Sequence, residues 1–157
     1  MNATETIFAL ALASNLDPRP HFEQVYTELQ RLGVVTFSNI YVIPCRDAIG
    51  ADYWNGACLL KSRLTVDTLI DTLKKMETAS GRVRPSHQIS LDIDLIAWGV
   101  NLDQMQWNPK KLPLALDVKI PMQEIWPNPA FDHVAHQFPV VQAKSFESAQ
   151  HQSVIAS

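Results

Sequence analysis

In Ser90–Trp98, read as SLDIDLIAW, two aspartates interrupt an otherwise apolar run. A strand alternates its side chains between two faces, so Asp92 and Asp94 point one way while Leu91, Ile93, Leu95 and Ala97 point the other. Same-face neighbours lie about 6.5–7 Å apart at Cα, a spacing from which flexible carboxylates converge on one or two hard cations. Magnesium accepts one or two carboxylates together with substrate phosphates, and two ions about 3.5–4 Å apart clamp a phosphoryl group. The pair therefore suits Mg-dependent nucleotide chemistry. The competing reading is a solvated strand face kept soluble by its charges.

Basic residues stand close by. Arg82, Arg84 and His87 precede the aspartates by a few residues, and guanidiniums beside a carboxylate pair are what a Mg-bound polyphosphate needs on its two sides. Glu77, one turn earlier, could meet a nucleotide hydroxyl or ring amine. The plainer reading is a basic helix end complementing the macrodipole, or arginines neutralising the aspartates. There is no GxxxxGK[ST] loop, no GxGxxG and no kinase signature, which excludes the familiar nucleotide-binding motifs. His133 and His136 have HxxH spacing without Asp or Cys partners nearby and read as surface histidines.

The elements that must position these residues follow from periodicity. Ile7–Ala13 (IFALALA) predicts a strand buried on both faces, ended by Ser14-Asn15 and by Pro18 and Pro20. Phe22, Val25, Tyr26, Leu29 and Leu32 then recur at helical spacing up to Gly33. Val34–Pro44, rich in β-branched and aromatic residues, predicts one strand, and Tyr53–Leu60 a second, joined by the polar loop Cys45–Asp52. Thr65 is a candidate N-cap for a helix with Val66, Leu69, Ile70, Leu73 and Met76 on its apolar face and Gly81 as its stop. The aspartate strand follows, with a turn at Gly99–Asp103 and a short helix over Val118–Trp126 broken by Pro121. Strand, helix, strand, strand, helix, strand predicts an α+β fold: a ferredoxin-like βαββαβ core, a mainly antiparallel sheet with flanking helices on one face, and the Asp92 side free for a site.

A chain of 157 residues, 46% of them hydrophobic, fits one domain with its own core. We expect that domain to span residues 1–141, with a frayed or disordered tail over 142–157, where polar sequence lacks periodicity. The net charge of −3 gives no electrostatic case for nucleic-acid or membrane-surface binding. Cys45 and Cys58 lack metal or redox spacing and read as reduced. The run at Ile7–Ala13 is too short to span a bilayer, and a cytoplasmic location is expected.

Five segments together resemble the 6-hydroxymethyl-7,8-dihydropterin pyrophosphokinase (HPPK) family: ALASNLD at Ala11–Asp17, IYVIP at Ile40–Pro44, DYWNGA at Asp52–Ala57, ETASGRVR at Glu77–Arg84 and SLDIDLIAWG at Ser90–Gly99. The resemblance implies an ATP- and Mg-dependent enzyme of folate biosynthesis that moves pyrophosphate from ATP to a reduced pterin. It implies that Asp92 and Asp94 hold two magnesium ions and, with Arg82, are catalytic. It places Glu77, Arg82, Arg84 and His87 on the ATP side. It places Ile43, Pro44, Cys45, Tyr53 and Asn55 around the pterin, Tyr53 by stacking and Asn55 by hydrogen bonding to the ring.

The chain departs from the family pattern at the catalytic end. Ile89 stands where the family has an arginine, the loop before the aspartate strand is shorter, and LPLALDVKIP at Leu112–Pro121 replaces a histidine-bearing segment. The second aromatic of the pterin sandwich falls near Asp117, leaving Trp107 or Trp126 to fill the role only if the backbone runs differently. Reduced activity is therefore expected, the alternative being a catalytically weak or silent paralogue that binds a pterin or a protein partner. The expected partners are a pterin and ATP, with no nucleic acid and no membrane, and the chain a monomer or weak homo-oligomer.

Overall fold

A computed structural model describes residues 4–45, 50–84 and 86–143. Strand β1 (Thr6–Ser14) is apolar on both sides because it runs through the middle of the sheet. Phe8, Leu10 and Leu12 enter one core while Ala9 and Ala11 enter the other. Each large side chain contributes about 1.5–3 kcal/mol by leaving water. Helix α1 (Pro18–Leu32) begins at Pro18, so the two prolines lie within its first turn rather than ahead of it. Proline is tolerated there because its missing N–H would have no intrahelical partner.

Val34–Ile43 is divided where one strand was expected. β2 (Val34–Phe37) and β3 (Ile40–Ile43) both pair with β4 (Tyr53–Ser62), and Ser38 fills the break. Its N–H donates to the Ala57 carbonyl and its hydroxyl accepts from the Ala57 N–H. A Cβ at Gly33 would run into the Lys61 carbonyl, so the passage from α1 into β2 needs glycine. Helix α2 (Val66–Ala79) starts at Thr65, whose hydroxyl accepts from the Thr68 N–H, and ends at Ser80 and Gly81, the latter at φ 90°.

Strand β5 (Asp92–Gly99) returns beside β1, followed by β6 (Met105–Trp107), helix α3 (Leu116–Ile125) and the short β7 (Val140–Val141). The sheet order is β6-β5-β1-β4-β3-β7, with β2 also on β4 and every described pairing antiparallel. This is an α+β fold with a ferredoxin-like βαββαβ core. Among the described residues no helix is long and apolar enough to cross a membrane.

Three expectations are corrected. Helices cover both faces: α1 and α2 pack on the face of Phe8, Leu10 and Leu12, and α3 on the face of Ala9, Ala11 and Ala57, where small side chains let it approach. Only the part of that face beyond α3 is left for a site. Helix α3 runs through Pro121 instead of breaking, because Ile120, Pro121 and Met122 are all buried and that burial offsets the lost hydrogen bond. A register shift between Ala9 and Leu10 leaves Ile96 without a partner on β1, as a β-bulge does. Ala97 therefore joins Ile96 in the α3-side core, while Trp98 packs on the opposite core. Residues 46–49 of the polar loop, and 144–157 of the expected tail, lie outside the described residues.

Candidate active site

The bulge comes after Asp92 and Asp94, so the two keep their common face. Their register partners on β1 are Ala13 and Ala11, whose small side chains do not crowd the carboxylates. Across the sheet, Asn55 on β4 pairs with Ala13, which pairs with Asp92, giving a row two strand spacings wide, about 10 Å. Along this row lies a cavity of about 330 Å³ lined by Ala13, Ile43, Pro44, Cys45, Tyr53, Asn55, Ile89, Asp92 and Asp117. All five residues expected around the pterin thus share one cavity with Asp92. Trp107 and Trp126 do not enter it; their rings stack 5.2 Å apart against Phe131 in the α3-side core. The residue that lines this cavity near the expected second aromatic is Asp117.

A second cavity, of about 530 Å³, is lined by Lys74, Glu77, Thr78, Arg82 and Arg84. Its geometry follows from the way the end of α2 is fastened to the start of β5. Glu77, 8% exposed, accepts from the Ile93 N–H at 3.0 Å. Arg82 donates to the Leu91 carbonyl at 2.8 Å, and the Ser80 and Ser90 hydroxyls lie 2.7 Å apart. Arg82 Nη1 then stands 3.5 Å from Asp92 and 3.8 Å from Glu77, and Arg84 pairs with Glu77 at 3.2 Å. Arg82 and Asp92 therefore join the two cavities. His87 is exposed and lines neither of them; its segment is held by Asn15, whose side-chain amide donates to the His87 carbonyl at 2.8 Å and whose carbonyl accepts from the Ile89 N–H.

Asp94 has a partner the sequence did not suggest. Lys111 Nζ donates to its Oδ1 at 2.8 Å. Asn108 places that lysine: its N–H donates to the Ile96 carbonyl and its side chain to the Leu95 carbonyl, while its Oδ1 caps the single 3-10 turn Pro109–Lys111. The cue in the sequence was Asn-Pro-Lys-Lys at 108–111, an N-cap followed by proline at the first helical position.

Burial raises the pKa of Asp92, and Glu77 raises it further against the opposing pull of Arg82. Asp94 is likewise raised by burial and by Asp92, against the pull of Lys111. Two crowded carboxylates held partly out of water bind a proton more readily than usual and gain from a cation. They fit magnesium in their hard oxygen donors and in their number. Among the described residues no group of three or more His, Cys, Asp or Glu is placed to hold a metal, and Mg2+ characteristically takes few protein ligands, filling the rest with water and phosphate.

No curated protein matches the chain. The model of the 7,8-dihydro-6-hydroxymethylpterin-pyrophosphokinase (HPPK) family matches residues 9–133, a span that holds both cavities, the aspartate pair and Lys111. With that match covering most of its length, the chain belongs to the HPPK family.

Proposed function

We propose that the protein transfers pyrophosphate from ATP to 6-hydroxymethyl-7,8-dihydropterin, a cytoplasmic step of folate biosynthesis. The observation that carries this reading is the position of Asp92, which lines the pocket of Tyr53 and Asn55 and is ion-paired to Arg82 of the cationic pocket. A flat bicyclic amide suits the first pocket, with Tyr53 offering an aromatic face and Asn55 both a donor and an acceptor. Ile43, Pro44 and Cys45 line the same pocket. Glu77, Arg82 and Arg84 serve the ATP side, where the two guanidiniums meet phosphate oxygens; His87, outside both cavities, is given no part in it.

Asp92 and Asp94 would hold Mg2+, two ions in this reading, which when bound neutralise the polyphosphate. The reaction joins the hydroxymethyl oxygen to the β-phosphorus and breaks its bond to the oxygen bridging to the α-phosphate; AMP leaves and the hydroxyl proton passes to solvent. Such transfer asks for positioning and charge stabilisation rather than a protein nucleophile.

A second reading, a weak or silent paralogue that binds a pterin or a protein partner, is favoured by Ile89 in the cavity lining, since an isoleucine supplies no phosphate contact. Calorimetric titration with 6-hydroxymethylpterin, with and without Mg2+ and a non-hydrolysable ATP analogue, separates the two. Mg-dependent nucleotide binding that tightens pterin binding is expected; pterin binding indifferent to both would favour the paralogue. Asp92→Asn and Asp94→Asn should each lower AMP formation by about a thousandfold or more with the fold retained. Normal turnover in either variant removes the metal role.

A further inference from the structure

Without metal or nucleotide, the charges at the candidate site balance. Three carboxylates, Asp92, Asp94 and Glu77, are in contact with three cations, Arg82, Arg84 and Lys111. Of the cations, Arg82 is anchored by the Leu91 carbonyl and Arg84 belongs to Glu77. Lys111 differs from both in that its ion-pair partner is Asp94 itself, one of the two carboxylates proposed to hold metal. It occupies Oδ1 of a carboxylate proposed to hold a divalent ion.

From this arrangement we infer that Lys111 is a resident counter-ion that makes metal binding depend on nucleotide. The inference rests on the proposed Mg-nucleotide site and adds to it a residue the family resemblance did not assign. A divalent ion arriving alone meets a neutral cluster and must displace an ammonium held by a charge-assisted hydrogen bond. A divalent ion arriving with a polyphosphate brings negative charge with it. The ammonium released from Asp94 then has a phosphate oxygen to bind, and its flexible four-carbon stem allows the move. The turn that carries it stays docked to β5 through Asn108. Lys111 thereby supplies a positive charge beside Asp94, where Ile89 supplies none.

The experiment compares wild type with Lys111→Met, which keeps the apolar stem, and with Lys111→Arg, which keeps the charge. Binding of Mn2+ alone is followed by electron paramagnetic resonance, and binding of the non-hydrolysable ATP analogue with Mg2+ by calorimetry. Lys111→Met should bind Mn2+ alone about tenfold more tightly and the Mg-analogue about tenfold more weakly. Lys111→Arg should keep nucleotide affinity within about threefold of wild type. Unchanged Mn2+ affinity in Lys111→Met overturns the competition for Asp94. Tighter Mn2+ binding with unchanged nucleotide affinity reduces Lys111 to a structural counter-ion and overturns its phosphate role. Failure of the wild type to bind the Mg-analogue at all overturns the proposed function and that phosphate role, while the Mn2+ titration still decides whether Lys111 guards Asp94.

Discussion

Glu77 carries three contacts at once, with the Ile93 N–H, Arg82 and Arg84, and it does so at 8% exposure. A buried carboxylate in such a setting holds its cations in place, and removing it leaves Arg82 and the Ile93 N–H without that partner. Breaking a buried pair from one side costs about 3–5 kcal/mol, so Glu77→Ala should lower unfolding free energy by about 3 kcal/mol and weaken Mg-nucleotide binding. Glu77→Gln, which can still accept from Ile93, should recover part of the stability. Denaturant unfolding measures both; a loss below about 1 kcal/mol in the alanine variant would show that the arginines hold themselves. At this scale the aspartate pair was legible, because period-two alternation alone sets its common face. Lys111 was not, since the Lys-Lys of a short turn carries no sign of which carboxylate it will meet.

At the scale of elements, the site depends on segments being tied to one another at their ends. The residues leading into β5 are held on two sides: by α2 through Glu77, Ser80 and Arg82, and by the end of β1 through Asn15. Asn15 accepts from Ile89, donates to His87 through its side chain, and donates its own N–H to the Ile89 carbonyl at 2.9 Å. Asn15→Ala removes the two side-chain bonds, each worth about 0.5–1.5 kcal/mol. It should speed amide exchange at Ile89 while leaving β1 amides such as Leu10 protected; equal exchange at Ile89 in both proteins would show that the backbone bond suffices. The helices and most strands were readable from their spacing. The bulge at Ile96 and the passage of α3 through Pro121 were not, because a bulge depends on the neighbouring strand and the proline is accommodated by burial against the sheet.

At the scale of the whole molecule, the raised pKa values of Asp92 and Asp94 couple stability to pH. Above the ordinary 3.8 the folded protein keeps protons that the unfolded chain has released. The contribution of the pair is thus full below that value and is lost as pH rises through the raised folded values. Metal-free protein should lose stability over that rise, and an Asp92→Asn/Asp94→Asn double variant should lose less. In the proposed function Mg2+ binds the ionised pair, so its stabilising effect on wild type should grow across the same interval. Melting curves from about pH 4 to about pH 8, a range that brackets the usual zone of maximal stability, test this; a Mg2+ shift independent of pH would place the metal elsewhere.

The sequence by itself determined the strand–helix order of the βαββαβ core, the common face of Asp92 and Asp94, and the family to which the chain belongs. Each follows from local periodicity or from short segments whose order survives divergence. The tertiary structure decided which residues meet: it brought Tyr53, Asn55 and Asp92 to one cavity, sent Trp107 and Trp126 into the core, buried Glu77 and set Lys111 on Asp94. Those outcomes depend on strand register and on how α3 and the Asn108 turn dock, contacts between segments far apart in the chain that no local pattern encodes.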